Sequence, residues 1–172
     1  YNGNILRPLL IFFQGMLVGA ATIFNKKYLT DDLPIIKGRE LFFDIMKIAD
    51  ERKLRVYLFG GENGEQTKSK EILEQKYNNV VFKTHHQFPQ YSKNCQPATV
   101  SDRKMHKSIV GGIKLFEPDL IFVAMNTPKQ EKWIYENLPE IPVRVDMAVG
   151  GSFDYMSGAV PRAPLFIRNR GL

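Results

Sequence analysis

The chain has 172 residues, 44% of them hydrophobic, which supports one domain with a single core and is too short to favour two. Its 24 Lys and Arg against 18 Asp and Glu give a net charge of +6, which favours anionic partners such as nucleotide diphosphates, nucleic acid or acidic lipids. The single cysteine, Cys95, excludes an intrachain disulfide and a cysteine metal cluster, and it fits a cytoplasmic location.

The start of the sequence predicts neither a membrane span nor a signal peptide. The longest early apolar run, residues 9–13, is interrupted by Gln14 and is far shorter than the roughly 20 apolar residues that span a bilayer. No basic region, apolar run and small-residue cleavage site follow one another in order. Because the chain opens at Tyr1 without a Met and stops at Leu172, we expect a domain that is truncated at both ends.

Short apolar runs rich in β-branched and aromatic residues predict five strands. They cover residues 9–13, 56–59, 80–82, 120–124 and 143–149. Segments with apolar residues at helical spacing predict helices over residues 41–48, 68–77, 105–116 and 130–138. Nearly continuous apolar strands that alternate with amphipathic helices indicate an α/β fold, with a Rossmann-like, doubly wound, mostly parallel sheet flanked by helices.

Ligands of such sheets bind outside the carboxyl ends of the strands, so the loops that follow the strands are the places where a site is expected. After the second strand come Gly60, Gly61 and Gly64, whose spacing allows close backbone approach to a ligand. The spacing lacks the dinucleotide glycine pattern and the P-loop Lys-Ser/Thr, which disfavours an NAD site or an NTPase. A structural turn and a ligand loop both remain open.

The loop after the fourth strand contains Asn126, Thr127, Lys129 and Gln130. Thr127 is predicted to cap the next helix with Pro128 at its first position, which would place Lys129 and Gln130 at the ligand edge. Gln130 could bond sugar hydroxyls and Lys129 could neutralise a diphosphate. The alternative is an ordinary capped helix with a solvated polar face.

The loop after the fifth strand carries a second glycine pair, Gly150 and Gly151, followed by Asp154. Asp154 is predicted either to bond ribose or acceptor hydroxyls or to cap the next turn. The irregular stretch 87–100 is predicted to be a surface loop, with a mobile lid as one interpretation.

Basic residues follow near the end of the chain: Arg162, Arg168 and Arg170. Arg162 is a candidate for a phosphate or an acidic lipid headgroup, and a solvated surface arginine is the alternative.

Two adjacent histidines follow the third strand. Neighbouring residues on an extended segment point to opposite sides, so His85 and His86 are not expected to share a metal ion. His86 is a candidate general base and His85 is expected to be structural. Trp133 and Tyr135 are expected to be core or oligomer contacts.

Several of these segments, taken in order, resemble the WecG/TagA/CpsF family of bacterial glycosyltransferases. The similar segments are residues 128–133, 149–154, 157–158 and 162–164, with residues 60–64 and 84–86 as further matches. The resemblance implies a single nucleotide-sugar-binding glycosyltransferase domain over residues 1–172. It also implies metal-independent, inverting transfer of an N-acetylmannosamine-like or other hexose from a UDP-sugar to a lipid-linked or oligosaccharide acceptor.

Further expectations follow from the resemblance. Gln130 would line the donor-sugar site, the glycine loops would hold the nucleotide, and no metal or other cofactor would be needed. The protein would work in cell-wall or surface-polysaccharide synthesis, in peripheral contact with the inner face of the plasma membrane. A homo-oligomer is a further implication of the resemblance. The sequence also lacks an Asp-x-Asp motif, a common holder of a divalent ion under a sugar diphosphate.

One departure bears on catalysis. The family usually has an Asp as the proposed general base where this chain has Gln14, and an amide cannot accept a proton at neutral pH as a carboxylate does. The family's nearby Arg is also absent, with Lys37 and Arg39 as possible substitutes.

Two functions therefore remain open, a UDP-sugar-dependent transferase and a nucleotide-sugar-binding module or pseudoenzyme. A carboxylate beside the pocket, such as Asp154, would favour the transferase. The glycine spacing excludes a dinucleotide oxidoreductase, and the dispersed basic residues disfavour a nucleic-acid binder.

Overall fold

The structure is a computed structural model that describes residues 38–61, 63–92 and 94–160. Several predictions fall outside the described residues: the strand at 9–13, Gln14, Lys37, Arg162, Arg168 and Arg170. The same holds for the side chain of Arg39.

The described chain alternates helices and strands. In chain order the elements are α1 (Gly38–Glu51), β1 (Arg55–Gly60), α2 (Glu65–Lys76), β2 (Val81–Thr84), α3 (Val100–Phe116), β3 (Leu120–Ala124), α4 (Lys129–Asn137), a 3₁₀ turn (Leu138–Glu140), β4 (Val145–Ala148) and α5 (Ser152–Ser157). The four strands form one sheet in the order β2-β1-β3-β4, and every strand pair is parallel. The predicted Rossmann-like α/β fold is confirmed.

Helices cover both faces of the sheet because consecutive strand residues point to opposite sides. On one face, Val56 and Leu58 of β1 pack with buried residues of α1, α2 and α5. On the other face, Tyr57 and Phe59 of the same strand pack with α3 and α4. Trp133 of α4 is fully buried there, and its ring stacks on Phe59 with the centroids 4.0 Å apart, so its assignment to the core is confirmed. The sheet is therefore doubly wound, as predicted.

The strand order reverses between β1 and β3. The chain passes from β1 to β2 on one side, and then crosses to place β3 on the other side of β1. At this point Gly60 pairs with Ala124, and a Cβ at Gly60 would overlap the Ala124 carbonyl oxygen. The loop after β1 therefore leaves the sheet directly beside the end of β3, where a doubly wound sheet places its ligand.

The irregular stretch predicted as a surface loop is largely exposed, with a few side chains packed against the core. We call residues 87–92 and 94–99 the strap. Pro89, Tyr91 and Cys95 are buried, and Tyr91 forms an antiparallel bridge with Pro97. The predicted surface loop is therefore confirmed, and contacts with α3 and α4 bury Tyr91 and Cys95, which the local composition did not indicate.

The strap ends where α3 begins, five residues earlier than predicted. The side chain of Thr99 accepts from the backbone N–H of Asp102, and the carboxylate of Asp102 accepts from the backbone N–H of Thr99. This capping box stabilises the first turn of α3, which has little apolar periodicity of its own.

Other boundaries shifted by a few residues. β2 spans Val81–Thr84 rather than 80–82, and β4 spans only Val145–Ala148 of the predicted 143–149. α2 begins at Glu65, three residues before the predicted start, because its polar first turn follows Gly64 in the left-handed conformation. α5 was not predicted.

Candidate functional site

A cavity of about 200 Å³ lies at the carboxyl ends of β1, β3 and β4, and we call it the switch-point cavity. Six of the predicted nucleotide-sugar residues line it: Gly61, Asn126, Lys129, Gly150, Gly151 and Asp154. These residues come from three separate loops, so the fold brings together what the sequence had placed up to 93 positions apart, from Gly61 to Asp154.

Three other predicted residues lie outside the lining of this cavity. Gly60 permits the close approach of β1 to β3. Gly64 stands at the N-terminal cap of α2 with φ 87°, and a Cβ there would meet nothing within 4 Å. Thr127 is exposed. For the two glycines the described contacts favour the structural-turn interpretation.

The predicted capping of α4 by Thr127 was wrong. The cap position is Pro128, and no side chain caps this helix. The Thr127 hydroxyl instead lies 3.3 Å from Gln130 Nε2, from which it accepts, and 3.4 Å from the Glu131 carboxylate, to which it donates. Side-chain contacts within the first turn thus replace the expected cap.

Gln130 connects two of the loops. Its side chain is only 6% exposed, and its Oε1 accepts a hydrogen bond of 2.9 Å from the backbone N–H of Gly150. Its Nε2 donates to Glu131 at 2.8 Å, which is the largest cause of the lowered pKa of Glu131. Gln130 therefore supports the cavity by holding the β4–α5 loop against α4, and its contact with a donor sugar stays a prediction.

Lys129 ties the strap to the start of α4. Its Nζ donates to the carbonyl oxygen of Tyr91 at 3.0 Å, and the Cys95 thiol donates to the carbonyl oxygen of Lys129 at 3.1 Å. Burial raises the pKa of the Cys95 thiol and that of the Tyr91 hydroxyl. The Tyr91 hydroxyl also lies 2.9 Å from Nδ1 of His106 on α3, so the strap is anchored on both helices.

Four polar or aromatic residues of the cavity were not predicted: Asn63, Glu65, Phe88 and Tyr91. Glu65 is 9% exposed, and its Oε2 accepts from the backbone N–H of Asn63 at 2.8 Å. Burial acts to raise the pKa of Glu65, but hydrogen bonds from the backbone of Asn63 and of Glu65 itself outweigh it and leave the pKa below its usual value. An acidic residue directly after the glycine loop was the available sequence signal.

Asp154 lies within α5, which begins at Ser152 after Gly151 in the cap position. The interpretation of Asp154 as a cap is therefore wrong, because two helical residues precede it. A Cβ at Gly151 would lie 3.1 Å from an oxygen of the Asp154 carboxylate, so glycine leaves room for this side chain at the cavity wall.

The two histidines lie elsewhere. His85 is 6% exposed among the rings of Tyr57, Phe59 and Phe88, where burial lowers its pKa to about 4. Neither of its ring nitrogens has a hydrogen-bond partner in the described part of the chain. His86 is exposed in a second groove, next to α3, that shares no lining residue with the switch-point cavity. The described geometry gives no support to His86 as a base for that cavity, and its role stays a prediction.

Three further observations concern the described residues alone. Among residues 38–61, 63–92 and 94–160, no group of three or more His, Cys, Asp or Glu side chains could hold a metal ion. No helix in that part of the chain has the length and the hydrophobicity needed to cross a bilayer. Tyr135 is 83% exposed, so it is not a core residue.

The sequence profile of the glycosyl transferase WecG/TagA/CpsF family matches residues 7–172. The chain belongs to this family. Its relatives include the N-acetylglucosaminyldiphosphoundecaprenol N-acetyl-beta-D-mannosaminyltransferase of Staphylococcus aureus strain NCTC 8325 / PS 47, which is 36% identical over 133 residues. The protein of the same name from strain MRSA252 is 35% identical over 133 residues.

The alignment with each of these relatives covers 77% of this chain and 47% of the relative. The chain thus spans about half the length of the curated relatives it matches. Membership of the WecG/TagA/CpsF family confirms the resemblance drawn from the loop motifs, and three of those motif segments, residues 60–64, 128–133 and 149–154, contribute to the switch-point cavity.

Proposed function

We propose that this protein is a glycosyltransferase that moves a sugar from a UDP-sugar to a lipid-linked or oligosaccharide acceptor in cell-wall or surface-polysaccharide synthesis. The family and the relatives' printed names support this, because those relatives are named for N-acetylmannosaminyl transfer to an N-acetylglucosaminyl-diphosphoundecaprenol. An N-acetylmannosamine-like sugar or another hexose is the proposed cargo.

The observation that carries the proposal is the switch-point cavity. Three loops that the sequence singled out as ligand loops meet there, at the strand ends where α/β sheets bind nucleotides. Lys129 provides a positive charge at its edge, and Glu65 and Asp154 provide acceptors for hydroxyl groups. A binding site for a nucleotide sugar needs these functions together.

The proposed transfer is inverting and metal-independent. The acceptor hydroxyl oxygen attacks the anomeric carbon, the bond from that carbon to the UDP oxygen breaks, and a base removes the hydroxyl proton. Gln14 cannot be that base and lies outside the described residues. A carboxylate at the cavity, Asp154 in the first instance, is the candidate, and its presence there favours the transferase over the binding module.

The proposed cellular setting follows from the acceptor. A lipid-linked glycan is held at a membrane, so we propose peripheral contact with the inner face of the plasma membrane through Arg162, Arg168 and Arg170. The proposal includes no nucleic-acid partner and no cofactor besides the UDP-sugar substrate, and it leaves room for a homo-oligomer.

Calorimetric titration of the full-length protein with UDP, ADP and NAD in EDTA tests the nucleotide site. We expect preferential binding of UDP. A transfer assay with UDP-N-acetylmannosamine and an N-acetylglucosaminyl-diphospholipid then separates the two functions, since a binding module would bind UDP and transfer nothing. A gain of rate in Gln14→Asp would assign the base to position 14 and count against Asp154. Equal or absent binding of all three nucleotides would contradict the proposal.

A further inference from the structure

The charged side chains of the switch-point cavity are unevenly placed. Its described lining carries two carboxylates, Glu65 and Asp154, and one ammonium, Lys129. The Lys129 ammonium donates to the carbonyl oxygen of Tyr91 and keeps its positive charge and two further donors, so it can face a diphosphate at the cavity edge. Because like charges repel strongly where water is partly excluded, a second anion directly beside the Glu65 carboxylate is disfavoured. Carboxylates instead accept hydrogen bonds, so the lining suits a neutral group rich in hydroxyls.

The size of the cavity points the same way. At about 200 Å³ it is smaller than the roughly 300–1,000 Å³ of pockets that enclose a whole drug-sized ligand. A nucleotide sugar has three parts, and two of them, the nucleoside and the transferred sugar, are uncharged and carry hydroxyls. The cavity can hold one such part and leave the diphosphate outside.

Glu65 is the acceptor whose position is best defined. Its Oε2 accepts from the backbone of Asn63, and a Cβ at Gly61 would come within 3.3 Å of the same oxygen. None of the salt bridges in the described part of the chain involves Glu65. Hydrogen bonds from the backbone of Asn63, the backbone of Glu65 and the side chain of Asn63 use up to three of the about four lone-pair sites of this carboxylate, so one site remains for a donor supplied by a ligand.

We propose that Glu65 is a specificity-determining residue whose carboxylate accepts a hydrogen bond from a ribose hydroxyl of the UDP-sugar. The inference rests on the proposed function and adds to it the group that distinguishes a ribonucleotide donor. Acidic residues accept a hydrogen bond from a ribose hydroxyl at other nucleotide-binding sheets. The transferred sugar offers the same chemistry, so the experiment separates the two sources.

The test measures dissociation constants of UDP, 2′-deoxy-UDP and 3′-deoxy-UDP by calorimetry on the full-length protein in EDTA. The variants are Glu65→Gln and, as a matched control, Glu71→Gln, which removes the same charge from an exposed position of α2. We expect the wild type and Glu71→Gln to prefer UDP over at least one deoxy analogue by about tenfold, which corresponds to about 1.4 kcal/mol. Glu65→Gln should bind UDP about tenfold more weakly and lose most of that preference.

Each outcome separates the two proposals. UDP binding without a preference over either analogue overturns the role of Glu65 and leaves the proposed function standing. The role of Glu65 in ribose binding is also overturned, with the proposed function intact, if Glu65→Gln keeps the preference for UDP over the deoxy analogues. A variant that binds UDP normally and only UDP-N-acetylmannosamine more weakly would assign Glu65 to the transferred sugar and overturn its ribose contact. Absence of UDP binding by the wild type overturns the proposed function and this inference with it. The comparison of analogues on the wild type needs no variant, so the absence of a preference overturns the role of Glu65 even if Glu65→Gln fails to fold; Glu65→Asp, a shorter carboxylate, then replaces it as the variant that should lose the preference.

Discussion

Replacing Gly60 by alanine tests the close approach of β1 and β3 at the switch point. Gly60 has φ 117°, a region that side chains with a Cβ rarely adopt. A Cβ there would also overlap the carbonyl oxygen of Ala124 on the neighbouring strand. The substitution therefore introduces two separate costs, one in the backbone of β1 and one between the strands.

The structure allows the two costs to be estimated separately. Backbone strain of this kind costs about 1–3 kcal/mol, and a forced shift in a packed core costs about 1–3 kcal/mol more. Gly64→Ala has the first cost without the second, because φ is 87° and nothing lies within 4 Å of the new Cβ. We expect Gly60→Ala to lower the free energy of unfolding by about 2–6 kcal/mol, a large part of the roughly 5–15 kcal/mol of a typical domain.

Urea denaturation followed by circular dichroism gives the free energy of unfolding of each variant from its midpoint and slope. Gly112→Ala completes the series: this glycine lies inside α3 with free space around it, so alanine should stabilise the protein by about 0.5–1 kcal/mol. If Gly60→Ala costs no more than Gly64→Ala, the strands do not approach as closely as described, and the reasoning fails.

Three further substitutions or treatments test other parts of the description. Gln130→Met leaves the Gly150 N–H without its acceptor and should cost about 1–3 kcal/mol in urea denaturation, while the exposed Gln75→Met should change little. Burial lowers the pKa of His85 to about 4, so between pH 6.5 and 4 the unfolded state binds a proton at this residue more readily than the folded state. The free energy of unfolding should therefore be at its full value above pH 6.5 and should fall by about 3 kcal/mol as the pH drops from 6.5 to 4. His85→Phe should reduce this pH dependence, and an unchanged dependence would contradict the assignment. Cys95 is 2% exposed and burial raises the pKa of its thiol, so a thiol reagent should modify the native protein only at the rate at which the strap unfolds locally. Labelling within seconds would show that the strap is not packed.

The sequence predicted the central strands and the loops that line the cavity well because their signals are local. β3 is five consecutive buried apolar residues, a pattern that few other structures produce. Glycine pairs directly after apolar strands indicated the edge of the sheet at which the cavity lies. These features depend on residues that are neighbours in the chain.

The errors occur where distant contacts decide the outcome. The strap has the Pro, Asn and Ser content of a surface loop, but Tyr91 and Cys95 are buried because α3 and α4 cover them. Glu65 was missed although it directly follows the glycine loop, because the first turn of α2 is polar and its lack of apolar periodicity hid the start of the helix. Gln130 was predicted to contact the donor sugar, which stays a prediction, and its described partner is the Gly150 backbone, 20 residues further along the chain.

The reciprocal hydrogen bonds between the strap and α4 have a consequence for the thermodynamics of binding. Lys129 holds the strap by its side chain, and Cys95 holds the backbone of Lys129 in return, so this wall of the cavity is in place before any ligand arrives. Because this wall is already ordered, binding does not include the entropic cost of ordering a loop. That cost is roughly 0.5–1.5 kcal/mol of binding free energy for each side chain that would otherwise be immobilised. Affinity at this site should therefore be governed by the hydrogen bonds the ligand makes, and only weakly by any rearrangement of the strap.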